Sequence, residues 1–148
     1  FAAKLGVRSV VLGTWGVDLR EQLTISRVTR RLSKAIGALP ADTGEAMTAL
    51  RKLDPDVALF TDRTLHPTPE VSMLAAIMLY TRIDGWLPEA RAVVPGQPLI
   101  SVTALPDARL PLSMQYSTLP RSEFAGFSAE RMAVLRAAAE RALGNQAH

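Results

Sequence analysis

The sequence predicts an α+β fold, a single mainly antiparallel sheet of five to six strands with helices packed over it. Three observations carry this reading. Two segments between residues 7 and 25 read as a hairpin, and two apolar runs flank the polar turn Pro106-Asp107-Ala108-Arg109. The chain then closes on a well-marked amphipathic helix. Hairpins of this kind stand where a doubly wound fold needs alternating crossovers.

Val7, Val10, Val11 and Leu12, bounded by Gly6 and Gly13, predict a strand, because β-branched residues fit a pleated surface. After the turn Thr14-Trp15-Gly16-Val17-Asp18, residues Leu19, Glu21, Leu23 and Ile25 alternate with polar Arg20, Gln22 and Thr24, which predicts the returning strand. Asp18 and Glu21 also have the spacing of a capping box. A helix starting there places Leu19 and Leu23 off the later apolar stripe, so the strand is preferred. From about residue 26 to 39, Val28, Leu32, Ala35, Ile36 and Leu39 continue from Ile25 at helical spacing, and Pro40 stops the helix.

Asp42 and Glu45 announce a second helix, which ends before Asp54-Pro55-Asp56. Val57 to Thr61 predicts a short buried strand, and Asp62 to Pro67 a loop. Thr68 followed by Pro69 is an N-cap with proline at the first helical position, opening an almost wholly apolar helix over about 69–82. Pro88, Pro95 and Pro98 punctuate the runs Ala90–Val94 and Leu99–Leu105, and the segment from Leu110 to Tyr116 returns as a strand. Ser128 caps the last helix, Phe127 staples onto Met132, and Gly144 ends it.

The chain has 148 residues, one domain over 1–148, and contains no cysteine and two histidines. Disulfide frameworks, thiolate metal sites and cysteine nucleophiles are therefore excluded, and no metal or cofactor is expected. Fourteen of the seventeen basic residues are arginine, a bias associated with GC-rich bacterial genomes. The start at Phe1 reads as a domain excised from a longer protein. The longest near-continuous apolar run, Val71 to Tyr80, is about half of what a bilayer requires, so a cytoplasmic domain without membrane contact is expected.

The closing stretch Leu99-Ile100-Ser101-Val102, the segment Leu110–Gln115 and Phe127-Ser128-Ala129-Glu130-Arg131-Met132 resembles GAF-like sensory domains. The opening Ala3–Val11 is similar too, and so in plan are the effector domains of isocitrate-lyase-regulator-type transcription factors. The resemblance implies an antiparallel sheet with a ligand pocket on one face, and a role in signalling or transcription regulation. About a third of the chain carries the detailed match.

No catalytic constellation emerges. His66 lies in a loop with Asp62 four residues away, Asp54, Asp56 and Asp62 bracket the strand at 57–61, and Gly13-Thr14-Trp15-Gly16 matches no phosphate-loop spacing. The residues most suited to line a ligand pocket are Met73, Ile77, Tyr80, Arg82 and Trp86. Met132, Leu135, Ala139 and Ala142 form a narrow seam suited to a homodimer helix. Arg27, Arg30, Arg31 and Lys34 cluster within eight residues, without interleaved aromatics.

The resulting expectation is a non-catalytic, small-molecule-sensing regulatory domain, dimeric, reaching nucleic acid only through another domain. The alternatives are a protein–protein interaction module of the same fold without a pocket, or a nucleic-acid-binding domain using the 27–34 basic helix.

Overall fold

In a computed structural model, residues 7–61, 65–93, 107–115, 119, 121 and 124–144 are described. Two strands and five helices lie among them: β1 (Val10–Gly13), α1 (Leu19–Ile36), β2 (Leu39–Asp42), α2 (Thr43–Leu53), α3 (Pro69–Asp84), α4 (Leu112–Gln115) and α5 (Ala129–Gly144). The strands pair in parallel, Val10 against Leu39 through Gly13 against Asp42. This overturns the expected sheet. In place of five to six mainly antiparallel strands, the described residues hold one two-stranded parallel sheet.

The first cause is α1. Residues 19–25 are helix, not the second arm of a hairpin. The Asp18 side chain accepts from the Glu21 backbone N–H at 2.8 Å, and Glu21 Oε2 accepts from the Val17 N–H at 2.7 Å. Gln22 Oε1 adds a bond from the Gly16 N–H at 2.9 Å. Three donors near the helix start are thus satisfied by local side chains, which a strand through the same residues leaves unused. The helix ends where Gly37, with φ of 67°, adopts the left-handed conformation and donates to the Lys34 and Ser33 carbonyls.

The second cause is the face that α1 turns inward. Gln22, Ser26, Thr29 and Ser33 are buried, whereas Leu19, Leu23, Val28, Leu32 and Ile36 are exposed. An apolar stripe placed in the core was the reason for preferring a strand at 19–25, and the structure places polar residues there instead. Their hydrogen bonds remain satisfied: Gln22 Nε2 donates to Ser26 Oγ, and Ser33 Oγ donates to the Thr29 carbonyl. Small side chains on this face let α1 approach the strands closely. A Cβ on Gly13 meets Thr29 Oγ1 at 3.0 Å and the Asp42 Cα at 3.1 Å.

β2 has no period in the sequence. It is the four-residue Leu39-Pro40-Ala41-Asp42, and a proline is tolerated because this strand has a partner on one side only. The Pro40 carbonyl accepts from Arg82 Nε of α3 at 2.6 Å. Burial pushes the pKa of that guanidinium below its usual value. Both α1 and α3 pack on the β1–β2 pair.

The rest of the core is a helical cluster of α2, α3 and α5. Leu50, Leu74, Met78, Leu135 and Val71 are completely buried in it. Arg131 of α5 binds Asp54 at the end of α2 and reaches Glu70 of α3 at 3.5 Å, so one guanidinium links all three. Replacing Arg131 by methionine is expected to destabilise the protein by about 1 kcal/mol, a modest loss because the ions stay about a quarter to a third exposed. Thermal unfolding of the variant checks this.

Val57–Thr61 forms no strand: among the described residues it makes a single isolated antiparallel bridge, Phe60 to Pro67. Thr68 joins it to α3: its N–H donates to the Leu59 carbonyl at 3.1 Å and its hydroxyl to the Ala58 carbonyl at 3.0 Å. The expected hairpin at 99–116 falls partly on residues 94–106, outside the described residues. Its returning arm is corrected: residues 112–115 form the helical turn α4, whose Met114 and Gln115 N–H groups both donate to the Pro111 carbonyl. Proline's fixed φ suits that helical start better than a strand. Among the described residues no helix is long and apolar enough to cross a membrane.

Candidate functional site

At the carboxyl ends of β1 and β2 the chain opens a cleft of about 480 Å³. Its walls come from three places: the β1–α1 loop with the start of α1, one face of α2, and residues Leu59, Phe60 and Leu65. Ligands in open α/β structures gather at this end of parallel strands, because the loops there are free to diverge while the strands hold them in place. The volume lies within the range of small-molecule sites.

Each wall has a local cause. Gly16 lets the loop lie directly on the helix start: a Cβ there meets the Gln22 backbone N at 2.7 Å and the Glu21 carbonyl carbon at 2.9 Å. Gly44 makes room for Gln22, whose amide fills the position a Cβ at residue 44 needs. Gln22 is thereby held between Gly16, Ser26 and Gly44, with both amide atoms engaged. Trp15 secures the loop from the other side. Its indole N–H donates to the Leu65 carbonyl at 3.3 Å, and its ring lies 6.5 Å from that of Phe60.

Leu65 has a φ of 65°, the only positive value at a non-glycine residue among those described. Left-handed backbone costs a branched residue about 1 kcal/mol or more and is a feature that clusters at binding sites. Met47, Leu59, Phe60 and Leu65 make the cleft mainly apolar, while Asp18 and Gln22 from the start of α1 and Thr48, Arg51 and Lys52 from α2 add polar groups.

The residues expected to line a pocket lie elsewhere. Ile77 is buried in the core, and Met73 packs against that core half-buried. Tyr80 and Trp86 are exposed and meet edge to face, their ring centres 6.3 Å apart. Arg82 is engaged with Pro40. These five residues do not contribute to the cleft. The seam Met132, Leu135, Ala139 and Ala142 is buried within the chain itself, in the core that α5 shares with α2 and α3.

Asp54 is paired with Arg131, Asp56 is an exposed turn residue, and Asp62 lies outside the described residues. His66 is exposed, and its carbonyl closes the loop by accepting from the Thr61 N–H at 2.9 Å. Among the described residues no group of His, Asp and Glu has the geometry to hold a metal ion. The cleft residues Gln22, Met47, Thr48 and Leu65 were not singled out from the sequence. The signal available was Gly13-x-x-Gly16 followed by the capping box, the pattern of a strand turning tightly into a helix. No family model, no curated protein and no solved structure matches this chain.

Proposed function

We propose that the protein binds a small molecule in this cleft, as a sensing domain that performs no chemistry on it. The observation that carries the reading is the cleft itself: mainly apolar walls with a few polar groups, at the end of a parallel strand pair. The ligand that fits has an apolar body lying between Met47, Phe60 and Leu65. It also has an anionic group directed at Arg51 and Lys52. Asp18, the carboxylate that lines the cleft, serves as the N-cap of α1, which argues for binding over acid–base work.

The test is thermal shift against a panel of aromatic and aliphatic carboxylates and the corresponding phosphate esters. A ligand at about 100 times its dissociation constant adds about 2.7 kcal/mol, a shift of several degrees. Thr48→Trp fills the cleft and is expected to remove that shift. If no member of the panel stabilises the native chain, or the filled variant responds equally, the proposal fails.

A further inference from the structure

We propose that the exposed basic face of α1, together with the groove between α1 and α2, binds the phosphate backbone of a nucleic-acid duplex. The arginine ridge of α1 stands apart from the cleft, whereas the groove shares Leu19, Gln22, Thr48 and Lys52 with it. At about 100° per residue, Arg20, Arg27, Arg30, Arg31 and Lys34 fall within one arc of about 100° on α1. All five are exposed. Beside this ridge runs a groove of about 450 Å³, walled by Arg30 of α1, Lys52 of α2 and Arg141 of α5. Glu45 is the acid within that groove, and it pairs with Arg30 at 3.3 Å.

The other six cations enter no ion pair among the described residues. Charge is therefore segregated. This face carries seven of the seventeen basic residues of a chain whose formal net charge is only +3. Repulsion along such a ridge is relieved by a polyanion, which gains counterion release as each phosphate is neutralised.

Geometry selects the kind of polyanion. The ridge from Arg20 to Lys34 extends about 21 Å along the helix axis, too long for its cations to converge on one small anion. It is long enough to cross the roughly 12 Å major groove and meet phosphates of both strands. No aromatic residue stands among the cations, so single strands find no stacking platform. Among the exposed apolar residues of α1, Val28, Leu32 and Ile36 point about 150° away from the centre of the basic arc, while Leu23 lies inside the arc and Leu19 about 20° beyond its edge, so α1 has no single apolar face that inserts into a membrane beneath its cations.

The experiment is fluorescence anisotropy of a labelled 20-base-pair DNA duplex titrated with the protein from 50 to 300 mM salt. We expect affinity to fall with a logarithmic salt slope of about −3 to −5, for roughly four to five phosphate contacts. Arg27→Glu/Arg31→Glu is expected to weaken binding at least about tenfold and to reduce the slope by about 2. Arg91→Glu/Arg109→Glu makes the same change in net charge away from α1 and is expected to have a much smaller effect. Circular dichroism confirms that both variants are folded. Absence of duplex binding at 50 mM salt, equal losses in the two variants, or tighter binding of single strands overturns the proposal. Binding to phosphatidylserine vesicles in place of duplex also overturns it.

Discussion

Leu135→Ala is expected to lower the unfolding free energy by about 2–5 kcal/mol, the range for emptying a fully buried leucine site. Leu135 is completely buried in the core that α5 shares with α2 and α3. With a urea dependence of about 1–3 kcal/mol per molar for a chain of this size, the midpoint falls by at least about 0.7 M. The informative partner is Leu32→Ala. Leu32 is 47 % exposed, and its loss is expected to change stability by no more than about 0.5 kcal/mol. Any fold that turns the apolar stripe of α1 inward predicts comparable losses at both positions. Urea unfolding of the two variants therefore tests the orientation of α1, and equal losses exclude the orientation described.

Gly16→Ala is expected to cost about 1–3 kcal/mol and to abolish stabilisation by any ligand of the cleft. The new methyl group meets backbone atoms of Glu21 and Gln22 at 2.9 and 2.7 Å, and backbone in the first turn of a helix has little room to yield. The loop must lift, which breaks the bond from the Gly16 N–H to Gln22 and opens the wall of the cleft. Gly37→Ala is the control. Gly37 has left-handed φ but nothing within 4 Å of its would-be Cβ, so alanine there costs about 1 kcal/mol from backbone strain alone. Ligand response should survive at residue 37 and vanish at residue 16. Loss of response in both variants, or in neither, contradicts the proposed site.

The helix termini were the most legible part of the sequence. Asp42 with Glu45, Thr68 with Pro69, and Ser128 act within one turn of themselves, and each cap closes locally on the N–H three residues later. The short parallel strands were not legible. β2 has four residues and a proline, and its partner is supplied across the whole of α1. The cleft was hidden for the same reason: Gly16, Gly44 and Leu65 meet only once the strands are paired.

By itself, the sequence determined the three long helices after residue 40, α2, α3 and α5, and the amphipathic pattern of α1 from about residue 26, because caps and periodicity act over a few residues; the helical turn α4 was read as a strand. Only the tertiary structure decided which side of α1 faces inward. Helical period specifies that one face differs from another, without specifying which one the rest of the chain covers. Here close approach to β1 and β2 favoured the small, internally hydrogen-bonded side chains of Ser26, Thr29 and Ser33 over the bulk of Val28, Leu32 and Ile36. That choice made residues 19–25 helix in place of strand and replaced an antiparallel sheet with a parallel pair. It left the arginines of α1 together on the outside.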